Sequence, residues 1–191
     1  HNEGNDVQAN RTWLLPQPLG QVVISNYDHK TLSLCFMGNL TCLRKLEVLE
    51  SPGLESLQLH SCTSLEDLRI RECKQLATVK GMQSLVNLMN LEVLETPSLV
   101  SLKLHSCRSM EDLRIEKCES LIALEGLQSL VNLRNLALLN AAGLPPYLER
   151  LLGHYELCPR LESLHIDDLS LLNMSLCKGL TCLQCLRLEK L

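Results

Sequence analysis

The sequence predicts an α/β solenoid, a stack of short coils whose strands share one parallel β-sheet on the concave side of an arc. Three observations predict it. Leu54 to Ser98 and Leu99 to Gly143 are two 45-residue copies of one phrase, identical at 25 positions. A shorter apolar-x-x-apolar-x-apolar unit begins at Leu43, Leu65, Leu88, Met110 and Leu133, with starts 22, 23, 22 and 23 residues apart. The last two apolar residues of each unit lie two positions apart, the spacing of one face of a strand.

That period is the one found in leucine-rich repeats, where a single coil cannot bury its own apolar face and the core exists only between neighbours. Taken in order, residues 1–18 are polar and then broken by Pro16 and Pro18, and read as a frayed edge or as part of a preceding coil. The array itself is expected over 19–191, about eight coils, with strands starting near 19, 43, 65, 88, 110, 133, 161 and 183. Within the unit from Leu43, Leu46 and Val48 point inward, which leaves residues 44, 45, 47 and 49 outside. Every coil repeats the same path, so the strands must run parallel.

The position where the chain leaves each strand is small: Ser51, Cys73, Thr96, Cys118 and Ala141. Small size is the shared requirement, because Ala141 has no polar atom to donate or accept. Beyond it, pairs such as Leu54 and Leu57, or Leu99 and Leu102, turn the chain back toward the core. The convex side is expected to be mostly irregular and to alternate. Arcs such as Leu54-Glu-Ser-Leu57-Gln-Leu59 are extended, whereas those holding Gly81-Met-Gln-Ser-Leu85 or Gly126-Leu-Gln-Ser-Leu130 make a short helical turn. The rhythm stretches to 28 residues between Leu133 and Leu161, where Pro145 and Pro146 precede an apolar helical pattern and predict a short convex helix over 144–153. The chain begins at His1 and stops at Leu191 directly after a repeat core, which reads as an excerpt of a longer protein.

Composition narrows the function. With 18 basic and 22 acidic residues the net charge is −4, and no basic stripe is present, which argues against nucleic acid as a partner. No run of about 18 apolar residues exists to span a membrane, and the N-terminal HNEGNDVQANRT lacks the features of a signal peptide. Of the ten cysteines, Cys62 matches Cys107 and Cys73 matches Cys118 in the duplication. Equivalent thiols at fixed repeat positions behave as small buried hydrophobes, which favours reduced cysteines and a cytoplasmic or nuclear setting. Sequons at Asn10, Asn39 and Asn173 argue weakly the other way.

The outward positions are where chemistry would sit. The middle of each strand reads Val23, Glu47, Arg69, Glu92, Arg114, Ala137, His165, Arg187, so Glu47 to Arg114 form a row of alternating charge about 4.8 Å apart. One reading is an exposed ladder that holds adjacent coils in register. The other is a polar concave surface that recognises a partner by charge. The next column holds Leu49, Arg71, Leu94, Glu116 and Leu139. Outward leucines at 45-residue spacing either pack beneath the loop leaving the sheet or form a contact site. The candidate partner-binding residues are therefore Lys45, Glu47, Asp67, Arg69, Arg71, Asn90, Glu92, Asp112 and Arg114, with Leu49, Leu94 and Leu139 as apolar anchors. Cys182-x-x-Cys185 straddles a core leucine and has no second pair at matching spacing, so it does not read as zinc ligands. His60 and His105 are repeat equivalents on the convex arc and read as surface residues. No nucleophile–base set and no phosphate loop occurs, so neither catalysis, a cofactor nor a metal is expected.

Phrases such as Leu65-Glu-Asp-Leu-Arg-Ile-Arg-Glu-Cys73-Lys-Gln-Leu76 and Leu161-Glu-Ser-Leu164-His-Ile166, set in irregular coils of 22 to 28 residues, resemble the leucine-rich-repeat region of plant intracellular immune receptors of the nucleotide-binding type, especially those of cereals. The resemblance covers about residues 19–191. It implies a domain that senses pathogen effectors, or guarded host proteins that they modify, and that restrains the other domains of the same receptor. Extracellular plant receptors carry an Ile-Pro turn after the strand, which this sequence lacks. The alternative is a leucine-rich-repeat substrate adaptor of an F-box ubiquitin ligase. An F-box segment upstream would decide for that adaptor, and a phosphate-loop domain upstream would decide for the receptor.

Overall fold

The computed structural model describes residues 19–37, 40–144, 158–167 and 180–189. The expected edge at 1–18, the helix over 144–153 beyond Leu144, Cys177 and the sequon asparagines Asn10, Asn39 and Asn173 lie outside the described residues. In chain order the strands are β1 (Gln21–Ser25), β2 (Thr31–Ser33), β3 (Lys45–Leu49), β4 (Ser56–Gln58), β5 (Asp67–Arg71), β6 (Thr78–Lys80), β7 (Asn90–Leu94), β8 (Ser101–Lys103), β9 (Asp112–Glu116), β10 (Ala123–Glu125), β11 (Asn135–Leu139), β12 (Ser163–Ile166) and β13 (Cys185–Leu188). Eight of them form one parallel sheet in the order β1-β3-β5-β7-β9-β11-β12-β13. The register never slips, so Val23, Glu47, Arg69, Glu92, Arg114, Ala137, His165 and Arg187 stand in one row.

Two backbone devices keep that register. The residue before each strand offers one carbonyl to two N–H groups of the next coil: Glu66 accepts from Met89 and Asn90, both at 2.9 Å, and Glu111 accepts from Arg134 and Asn135 at 2.8 and 3.0 Å. The residue after each of β1, β3, β5, β7, β9 and β11 is left-handed, with φ of 53° at Asn26, 46° at Glu50, 56° at Glu72, 53° at Glu95, 55° at Lys117 and 50° at Asn140. None is glycine, and a left-handed L-residue costs roughly 1–2 kcal/mol. The turn it makes aims its N–H at the neighbouring coil, as in Glu72 to the Leu94 carbonyl at 3.0 Å and Lys117 to the Leu139 carbonyl at 3.0 Å. The strain is thus tied to a hydrogen bond between coils.

The small residue that follows is buried in every described coil that has it. Hydrogen bonding there is more uniform than the sequence implies. The Ser51 and Thr96 hydroxyls donate to the Leu49 and Leu94 carbonyls at 2.9 and 3.1 Å, and the Cys73 and Cys118 thiols donate to the Arg71 and Glu116 carbonyls at 3.5 Å. In each case the acceptor lies two residues back, so the strand's last carbonyl is within reach of any short polar side chain here. Ala141 alone departs from the pattern, and the adjacent Asn140 N–H is instead met by the Asp167 carboxylate at 2.7 Å.

The convex arcs correct the expected alternation. An extended segment follows the turn in each of the first five coils, and these segments pair as two further parallel sheets, β2-β4-β6 and β8-β10. What alternates is the corner after them. Single 3₁₀ turns occupy Leu34–Met37, Met82–Ser84 and Leu127–Ser129 in the first, third and fifth coils, while the second and fourth turn at Cys62 and Cys107. The extended arc is common because Leu32, Leu57, Leu102 and Leu124 all point into the core whichever corner follows. No α-helix occurs among the described residues.

Gly81 and Gly126 open two of the 3₁₀ corners with φ of 89° and 87°. A Cβ on Gly81 would stand 2.6 Å from the His60 backbone nitrogen, and one on Gly126 would stand 2.4 Å from that of His105. The imidazoles of His60 and His105 themselves face outward, as surface residues.

One apolar core runs the length of the stack, from Leu32 through Leu68, Val93 and Leu121 to Ile166. Each fully buried leucine contributes about 1.5–3 kcal/mol. Leu186 occupies a core position of the last strand yet is 45% exposed, since no described coil packs on its outer side. The nine described cysteines are unpaired. Burial pushes the thiols of Cys62 and Cys158 up to about 12 and those of Cys107 and Cys118 up to about 11, so these four stay neutral and behave as core residues.

Candidate recognition surface

The outer face of the eight-stranded sheet carries three columns of side chains, because residues i, i+2 and i+4 of each strand share a face. The first runs Gln21, Lys45, Asp67, Asn90, Asp112, Asn135, Ser163, Cys185, and the second is the Val23 to Arg187 row. The third begins Ser25, Leu49, Arg71, Leu94, Glu116, Leu139. The first two columns border an open trough of about 420 Å³ that extends from Asp67 and Arg69 to His165 and Arg187.

The charges pair along strands more than across them. Lys45 holds Glu47 at 2.8 Å, Arg69 holds Asp67 at 3.1 Å and Arg114 holds Glu116 at 2.8 Å, all within one strand. Across strands, Arg71 Nε meets Glu92 at 2.6 Å and His165 meets Glu189 at 2.8 Å. The direct Glu47–Arg69–Glu92–Arg114 ladder that the sequence suggests is therefore a shared row without direct rungs. Residues two apart on a strand lie roughly 6.6 Å from each other on the same face, a span one arginine or lysine covers. Such half-exposed pairs contribute about 0–1 kcal/mol each, so the row is not what holds the coils together. The Lys45 ammonium, helped by Arg69 and Arg71, holds the Glu47 carboxyl below its ordinary value, and Asp67 raises the Arg69 guanidinium above its own.

Of the residues expected to form the surface, Asp67, Arg69, Asn90, Glu92, Asp112 and Arg114 line the trough. Lys45 and Glu47 continue the same two columns beyond its end. Leu49, Arg71 and Leu94 form its half-buried outer border. Leu139 departs from the expectation of an exposed anchor: at 4% exposure its side chain is covered on the outer face of the sheet, apart from the shared core. Sequence reasoning also left out Asn135, Ala137, Ser163, His165 and Arg187, which line the same trough. The column register would have found them, since Ala137, His165 and Arg187 belong to the same middle row.

Among the described residues no group of three or more His, Cys, Asp or Glu side chains gathers as a metal site would require. Cys182 is exposed and Cys185 half-buried. No described helix is long and apolar enough to cross a membrane.

Eight parallel strands in unbroken register, one for each apolar unit of the sequence, decide the architecture. The fold is a parallel-sheet β-solenoid of the leucine-rich-repeat kind. No family model and no curated protein matches the chain. Among solved structures it is similar to the leucine-rich repeat domain of the type III effector XCV3220 (XopL), with 15% identity, 91% of this chain and 78% of that chain covered, and a TM-score of 0.30. A superposition that loose assigns nothing further, and the repeat assignment stands on spacing and register alone.

Proposed function

We propose that the concave trough is a protein-recognition surface and that the chain is a non-enzymatic interaction module. The trough itself carries this reading. It is long, open and lined by alternating donors and acceptors on a rigid sheet, which suits an extended protein surface rather than an enclosed small molecule. Of the two settings the sequence raises, the sensing and autoinhibitory repeats of a plant intracellular immune receptor fit better, because the phrases around Leu65 and Leu161 resemble that family. The partner would then be a pathogen effector, a guarded host protein or another domain of the same receptor, met in the cytoplasm or nucleus.

The test combines Arg69→Ala with Leu94→Ala in the full-length protein. Both side chains are partly exposed, so the fold should survive, as circular dichroism would show. The expected outcome is altered receptor output in leaf tissue, either lost response or unprompted cell death. Unchanged output from a folded protein would overturn the recognition reading. An F-box segment upstream, in place of a phosphate-loop domain, would replace the receptor with a ubiquitin-ligase adaptor.

A further inference from the structure

We infer that the trough receives an extended protein segment carrying an acidic side chain over Ala137. This rests on the recognition reading above and adds the chemistry of the partner.

Ala137 is the smallest side chain in the middle row. Its neighbours in register are Arg114 on one side and His165 on the other, with Arg187 one strand further. Strands lie about 4.8 Å apart, so Ala137 floors a niche whose walls are roughly 9.6 Å apart. In the first column Asn135 and Ser163 border the same niche.

Donors outnumber acceptors there. A guanidinium presents five N–H groups and no acceptor. Arg114 uses Nη2 on Glu116, and His165 is fixed by Glu189 at 2.8 Å, so both are oriented from the rim. Arg187 makes no ion pair among the described residues and is exposed. The nearest first-column carboxylate, Asp112, is already engaged by the Asn135 amide. What such a niche lacks is an acceptor-only group, and a carboxylate presented to arginine is the pairing with the best-matched geometry.

The other half of the trough argues against a polyanion. Asp67, Glu92 and Asp112 line it, and a phosphate backbone laid along the columns would meet all three.

Three probes test this by amide shifts of the isotope-labelled chain. They are a blocked octapeptide with one central glutamate among small polar residues, the same peptide with glutamine for glutamate, and an eight-nucleotide oligothymidylate. The first should shift the amides of Arg114, Ala137, His165 and Arg187, and the glutamine peptide should bind at least tenfold more weakly. Ala137→Glu and Arg187→Glu should each weaken the first peptide tenfold, while Lys103→Glu, exposed on β8 away from the concave sheet, should change it less than twofold. Equal binding of the glutamine peptide, or of oligothymidylate at the same amides, overturns the acidic-segment inference and leaves the recognition surface standing. Silence of all concave amides toward all three probes overturns both.

Discussion

Replacing Gly126 with alanine probes how the coils are seated on one another. The glycine lies at φ 87°, where an L-side chain is strained by roughly 1–2 kcal/mol. The added Cβ would also stand 2.4 Å from the His105 nitrogen and 2.7 Å from its Cα, both backbone atoms of the preceding coil. Neither can rotate away, so the corner must shift and loosen the packing of the buried Leu104 and Leu127 around it, a change of the overpacking kind that costs about 1–3 kcal/mol. Restricting the unfolded chain returns roughly 0.4–1 kcal/mol. The balance is a loss of about 1–4.5 kcal/mol, read as a lower urea midpoint by far-ultraviolet circular dichroism at 25 °C. Gly20→Ala is the internal control, because a Cβ there meets nothing within 4 Å. If Gly126→Ala falls within about 0.5 kcal/mol of the parent while Gly20→Ala behaves the same way, the close seating of adjacent coils described above is wrong.

Leu139→Ala should cost about 2–4 kcal/mol and the half-buried Leu49→Ala clearly less, which urea titration of the two variants would separate. Glu72→Asn, at an exposed left-handed position of φ 56°, should stabilise by about 0.5 kcal/mol, since asparagine tolerates that conformation; a loss of stability would deny the strain assigned to it. In alkylation at pH 8 read by peptide mass, Cys35 should react first, its pKa lowered by the Ser61 and Ser33 hydroxyls, while Cys62, Cys107, Cys118 and Cys158 stay unlabelled until the chain unfolds. The same four thiols make stability fall at high pH. Their folded pKa values, about 11 to 12, exceed the ordinary thiol value of 9.0, so their contribution is complete below about pH 9 and is lost between there and about pH 11 to 12, at up to about 1.4 kcal/mol per pH unit per thiol. Cys107→Ser should flatten that slope, and an unchanged slope would refute the assignment.

The eight strands and their register were legible in the sequence because burial in a solenoid has one solution for the unit. Leu46 and Val48 must face in, and a slip of one residue would turn both outward. The convex side was only partly legible. Gly81 and Gly126 marked the 3₁₀ corners, but the extended segments ahead of them were hidden, because Thr78–Lys80 and Ala123–Glu125 share little with the recognisable Ser56–Gln58. The candidate surface was legible as columns and less so as contacts. Pairing of Arg69 with Asp67 in its own strand, rather than with a carboxylate across the row, depends on side-chain reach and has no sequence signature. Leu139 was misassigned because column membership gives direction from the sheet and not what covers the side chain.

The coil separates its stabilising parts from its outward ones. Burial of Leu43, Leu46, Leu54, Leu57 and their equivalents, the shared carbonyls ahead of each strand and the small residue behind it fix the path. None of these involves a side chain in the first two outer columns. The pairs that do occur there, such as Lys45–Glu47 and Arg114–Glu116, are partly exposed and contribute little to stability. Successive strands show this directly: Leu46, Leu68, Leu91, Leu113 and Leu136 stay leucine, whereas the middle outward residue changes from Glu47 to Arg69 to Glu92 to Arg114 to Ala137 without loss of register. Side chains facing the trough are therefore free to change with the partner while the sheet beneath them stays the same, which is the physical condition a recognition surface needs.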